Sequence, residues 1–222
     1  MIRKIFFTLL AAAMMISASA QQKVLVAYFS FTNNTKAYAE KITAITGGDL
    51  YEIVPQVAYG SENSNYYDET TRAYKEQYNT GGEQRPAIHA TLTNAAQYDV
   101  VFLGSPIWYS KSPRVILTFL DTYGFAGKTI VPFVTSASTG ITKVNEELPA
   151  TYPNIYWIEG RRLNGVSDAD LQTWVQGVLE SATGIEDVQA TQSDAPAYTM
   201  SGQQAPEGYK GVVIQNGKKQ IK

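Results

Sequence analysis

Lys23-Val24-Leu25-Val26-Ala27-Tyr28-Phe29-Ser30-Phe31-Thr32-Asn33-Asn34-Thr35-Lys36 changes character halfway along. An apolar run of strand length stops in a cluster of hydroxyl and amide side chains. Beyond it, Tyr38, Ile42 and Ile45 recur at helical spacing. A strand, a short polar turn and a helix N-terminus together favour an anion, because the first-turn N–H groups are free and the helix dipole is positive there. Ser30, Thr32 and Thr35 add hydroxyls without adding charge. That set suits a bound phosphomonoester better than a phosphate to be transferred. A crossover whose Asn34 merely caps a helix is the plainer reading of the segment alone.

Strand-like and helix-like stretches alternate from Lys23 to about Ser181. Asp49–Val54 reads as a second strand ended by Pro55, and 98–105 as a third with an almost continuous apolar run. Residues 56–85 form a long polar connection rich in Tyr, with a short helix expected around Tyr66–Tyr78. Ser112-Pro113 reads as the cap and first residue of a helix. Residues 129–134 make a fourth strand weakened by Pro132, Ile141–Leu148 a further helix, and 154–158 a fifth strand. From Ser167 a final helix presents Leu171, Trp174, Val175, Val178 and Leu179 on one face. This order predicts an α/β fold: a doubly wound, five-stranded parallel sheet with strand order 2-1-3-4-5. In such sheets ligands bind beyond the carboxyl ends of the strands. The loops at 30–35, 105–112 and 135–140 then share one edge and one ligand.

The three loops differ in composition. The second carries Trp108 and Tyr109, two large rings on an expected turn, suited to stacking on a flat ligand. The third, Thr135-Ser136-Ala137-Ser138-Thr139-Gly140, is small and polar and brings its backbone close to a ring edge.

Taken together, 24–35, Gly104-Ser105-Pro106-Ile107-Trp108, Phe125–Ile130 with Thr135-Ser136, and Glu159-Gly160-Arg161-Arg162-Leu163 resemble the flavodoxins, in particular short bacterial flavodoxin-like proteins. The resemblance spans about residues 23–182. It implies flavin mononucleotide (FMN), held without covalent attachment. Ser30, Thr32, Asn33, Asn34 and Thr35 would surround its phosphate. Ser105, Pro106, Ile107, Trp108 and Tyr109 would supply one side of the isoalloxazine, and Thr135, Ser136, Ala137 and Ser138 its other edge or the ribityl chain. The implied role is electron transfer, as a carrier between proteins or as a small FMN-dependent oxidoreductase acting on a quinone-type acceptor. Asn33, Ala137 and Ser138 stand where glycines are usual in that family, so a second reading stays open: an exported binding module that keeps the fold and has lost the cofactor.

At the N-terminus Arg3 and Lys4 precede an apolar stretch and Ala18-Ser19-Ala20 has the form of a cleavage site. Residues 1–20 thus read as a signal peptide and the protein as exported, periplasmic or at the cell surface. No integral membrane span is expected after its removal. Losing two basic residues takes the formal charge of −2 to −4, which offers no footprint for nucleic acid. The absence of cysteine excludes disulfides, thiolate chemistry and cysteine-bound metal, and no metal site is expected. His89, the only histidine, has no triad-like partner, and neither a nucleophile elbow nor a phosphate-transfer loop occurs. Arg161-Arg162 reads as a surface ion pair flanking a helix. The domain extends over 21–183, with a linker at 184–196 and a β tail at 197–222, where Asn216-Gly217 signals a hairpin.

Overall fold

The computed structural model describes residues 22–65, 67–78, 84–193, 198–199, 203–206, 212–215 and 218–221. The expected signal peptide lies outside the described residues. Strand β1 (Val24–Tyr28) is buried along its whole length. Its side chains alternate between two cores, as a strand covered on both faces requires. Leu25, Ala27 and Phe29 join Val101, Leu103, Ile130 and Val134 on one face. Val24, Val26 and Tyr28 join Val100, Phe102, Val131 and Phe133 on the other. These residues belong to β3 (Val100–Pro106) and β4 (Thr129–Thr135).

Two helices cover each face. Helix α3 (Arg114–Tyr123) brings Val115, Ile116 and Phe119 to the first core, and α4 (Thr142–Thr151) brings Val144 and Leu148. The second core takes Ala39 and Ile42 from α1 (Asn34–Thr46) and Leu171, Val175, Val178 and Ala182 from α5 (Asp168–Ser193). Each such Val, Leu or Ile contributes about 1.5–3 kcal/mol when fully buried.

The sheet order is β2-β1-β3-β4-β5, with β2 at Asp49–Glu52 and β5 at Tyr156–Trp157. All its pairings are parallel. The expected fifth strand is broken: after Trp157 the chain leaves the sheet and returns as β6 (Arg161–Arg162), which also pairs with β4. Pro132 explains the break. Ile158 donates to the Ile130 carbonyl and Leu163 to the Val134 carbonyl, so even-numbered residues of β4 face this edge. Pro132 lies between them with no N–H to offer, and the edge strand is interrupted opposite it.

Other boundaries shift for identifiable reasons. The 56–85 connection forms a 3₁₀ turn at Ser61–Ser64 and a helix α2 at Arg72–Tyr78. Pro113 occupies the cap position of α3 rather than its first turn, and Ser112 makes no capping bond. The stretch expected as a linker is helical to Ser193. Its Ala, Glu and Gln are helix formers, and no proline interrupts them before Pro196. Beyond it, β7 (Tyr198–Thr199), β8 (Val212–Gln215) and β9 (Lys218–Ile221) form an antiparallel sheet with Gln215 paired to Lys218. The turn residues of this hairpin lie outside the described set. No helix among the described residues is long and apolar enough to cross a membrane.

Candidate functional site

The carboxyl ends of β1, β3 and β4 open onto a cleft of about 560 Å³. Thr32 and Asn34 line it from the first loop, Pro106 and Ile107 from the second, and Thr135–Thr139 from the third. Strand order brings these loops together although more than a hundred residues separate the first from the third.

The first loop turns through Asn33, at φ 62°, directly before α1. This left-handed conformation is where glycine is favoured, and Asn is among the few residues that visit it readily. Asn34 Nδ2 donates to Thr32 Oγ1 at 3.2 Å. Thr35 is buried and its hydroxyl bonds the Thr135 hydroxyl at 2.8 Å, tying the start of α1 to the end of β4. Thr35 therefore forms part of the floor beneath the cleft, not its lining. Ser30 Oγ accepts from the Lys36 N–H at 3.3 Å and faces a neighbouring hollow instead.

In the second loop Trp108 and Lys111 exchange backbone hydrogen bonds across Tyr109 and Ser110, both at positive φ. This is the signature of a tight two-residue turn of the primed kind. The two rings do not line the cleft. Trp108 packs edge-on against Phe29, Phe31 and Tyr59, with centroids 5.5, 5.7 and 4.7 Å away. Tyr109 is buried against Tyr74 and Tyr78 of α2. Ser105 is enclosed within β3.

The third loop is held by residues that the sequence pattern does not assign to the site. Arg162 donates to the Ser136 carbonyl through Nε at 2.9 Å and Nη2 at 2.7 Å, and to the Ala137 carbonyl at 3.0 Å. The expected surface ion pair is thereby corrected: this guanidinium binds backbone, and β6 places it there. Asn164 Oδ1 accepts from the Ser136 N–H at 2.6 Å, and Ser136 Oγ accepts from the Thr139 N–H at 3.0 Å. Ala137 and Ser138 are not among the positive-φ residues, so this loop needs no glycine there. Tyr67, 92% exposed, completes the lining from the long connection together with Asn164. The sequence signal for Arg162 is its place in the Glu159–Leu163 stretch that carries the family resemblance, for Asn164 its place just before α5, and for Tyr67 the tyrosine-rich composition of 51–78.

The donor set fits a phosphorylated, flat ligand. Hydroxyls and amides line one end, Pro106 and Ile107 give an apolar wall, and none of the described lining residues is Lys or Arg. Its volume falls within the range of about 300–1,000 Å³ usual for small-molecule sites. No cluster of potential metal ligands occurs among the described residues.

A doubly wound sheet of order 2-1-3-4-5 with its cleft at the strand ends defines the flavodoxin-like class. The family model described as Flavodoxin matches residues 23–178, and the chain belongs to that family. It is 41% identical to a proposed flavoprotein from Bacteroides eggerthii, over 71% of this chain and 98% of that one, with a TM-score of 0.67. A second proposed flavoprotein, from Bacteroides uniformis, shares 38% identity over 70% and 98% of the two chains, with a TM-score of 0.66. A flavoprotein from Lactobacillus acidophilus, solved in complex with FMN, is 25% identical over 69% and 98%, with a TM-score of 0.55. No protein of curated function matches the chain.

Proposed function

We propose that this protein binds FMN in the cleft formed by residues 32–34, 106–107 and 135–139, and that it moves electrons. The observation that carries the reading is the convergence of three polar or apolar loop ends on one cleft of suitable size. The FMN complex of the Lactobacillus acidophilus relative supports it. The first-turn N–H groups of α1, with Thr32 and Asn34, would hold the phosphate. Pro106 and Ile107 would lie against the ring, and Thr135, Ser136, Ala137 and Ser138 along its other edge or the ribityl chain. Bound flavin supplies transfer of one or two electrons, while the protein sets its potential by packing and hydrogen bonds.

The same cleft serves a carrier docking on a redox partner protein or a small oxidoreductase using a quinone-type acceptor. Rates with small acceptors against rates with a partner protein separate the two. We also propose export to the periplasm or cell surface, on the pattern of residues 1–20. The deciding experiment is the visible spectrum of the purified full chain before and after adding FMN. A flavin band or quenched flavin fluorescence is expected. A folded chain that leaves FMN free in solution would instead be a binding module that has lost the cofactor.

A further inference from the structure

Next to the cleft, across the Ser30–Thr32 segment, lies a second hollow of about 220 Å³. It shares no described lining residue with the cleft. Phe29, Phe31, Tyr59, Ile53 and Pro55 make it largely apolar, and Glu52 is the one charged residue among its described lining. Glu52 and Val54 are exposed at its rim, so the hollow is open to solvent. Its rings are fixed from behind: Trp108 packs against Phe29, Phe31 and Tyr59, and Tyr59 donates a buried hydrogen bond to Glu76 at 2.6 Å.

We propose that this hollow binds a neutral monocyclic phenol, its ring among Phe29, Phe31 and Tyr59 and its hydroxyl donating to the Glu52 carboxylate. The charges select the class. A carboxylate at the site disfavours an anion. The Arg72 guanidinium lies 4.3 Å from the Tyr59 ring centroid and disfavours a second cation. A purely apolar ligand would shield Glu52 from water and leave it little beyond the Tyr28 hydroxyl, 3.3 Å away. A hydroxyl on the ring removes that penalty, since a carboxylate accepts several hydrogen bonds. Size sets the rest: a cavity of about 150 Å³ holds benzene, so this one has room for a single substituted ring. The site is formed by the polypeptide alone and does not depend on FMN.

The test is a titration of the full chain with 4-methylphenol, without and with FMN, followed by backbone amide chemical shifts. Saturable shifts confined to 29–31 and 52–59 are expected in both states. Toluene, and 4-methylphenol on Glu52→Gln, should each bind about tenfold more weakly, the worth of one hydrogen bond to a charged group. Ala58→Phe should fill the hollow and abolish the shifts while far-ultraviolet circular dichroism stays unchanged. Shifts centred on 106–107 and 135–139, non-saturable shifts, or equal affinity for toluene and 4-methylphenol would each overturn the proposal. Glu52→Gln, a change at the exposed rim, keeps the test decisive if Ala58→Phe fails to fold.

Discussion

Arg162 acts on carbonyl oxygens, and no other side chain type fills that role equally well. Its planar fork donates three hydrogen bonds to Ser136 and Ala137, whereas a lysine is a compact point charge. Arg162→Lys should therefore behave like Arg162→Ala. Both should raise the FMN dissociation constant about tenfold by flavin fluorescence quenching, because the third loop loses its anchor. Ser110 offers the opposite change. With φ 68° it sits where a Cβ costs about 1–2 kcal/mol. Ser110→Gly should stabilise the chain by about 1 kcal/mol in urea unfolding. Buried tyrosines govern the alkaline limit, Tyr28 and Tyr98 among them. Burial, then Glu52, pushes the Tyr28 hydroxyl up to about 12, and burial, then hydrogen bonding to Asp49, does the same for Tyr98. Their folded values lie above the ordinary 10, so the stability they confer is complete below pH 10 and vanishes as pH rises through 12. Absorbance at 295 nm should show these two ionising late, together with unfolding and with Tyr59, Tyr123 and Tyr152, whose hydroxyls burial also raises.

Besides the apolar packing of α1 on the sheet, one pair of buried hydroxyls ties its first turn to the end of β4. Thr35→Val leaves the buried Thr135 hydroxyl without its partner and should lose about 1–3 kcal/mol. The double change Thr35→Val with Thr135→Val removes both polar groups and should recover most of that loss in a double-mutant cycle. Strand contacts are equally specific. A Cβ on Gly104 of β3 would meet the Phe133 ring of β4 at 2.2 Å, so only glycine lets these neighbours approach. These elements are legible in the sequence because β1, β3 and β4 are apolar on both faces and α3 and α5 carry one apolar stripe. The fifth strand is only half legible. Its composition is strand-like, but the interruption comes from Pro132 on the neighbouring strand, a long-range effect that no local pattern carries. The end of α5 is hidden for a different reason: the polarity of 184–193 resembles that of a linker, while Glu186, Gln189, Ala190 and Gln192 within it are good helix formers.

For the molecule as a whole, charge and topology set behaviour that no single element determines. The chain is formally negative and the described lining of its cleft carries no cation, so in the proposed FMN site the phosphate would be held by neutral donors against a weak overall repulsion. Added salt should then leave FMN affinity unchanged or slightly raise it, whereas a lysine-based phosphate site would weaken; fluorescence titration at low and high sodium chloride checks this. Of the candidate site, the residues placed by the strand ends are legible: Thr32, Asn34, Pro106, Ile107 and Thr135–Ser138. Trp108 and Tyr109 turn away from the cleft because their packing partners Tyr59, Tyr74 and Tyr78 come from a connection with no readable periodicity. The roles of Arg162 and Asn164 stay hidden because these residues serve backbone atoms, which leave no mark in the sequence of the loop they hold. The broken edge beside Pro132 has one more effect. A strand from another molecule can zip only onto an uninterrupted row of peptide groups, and here it meets two dipeptides separated by a detour. Runaway stacking through that flank is blocked by the backbone itself, leaving β2, bordered by the carboxylates of Asp49 and Glu52, as the other open side.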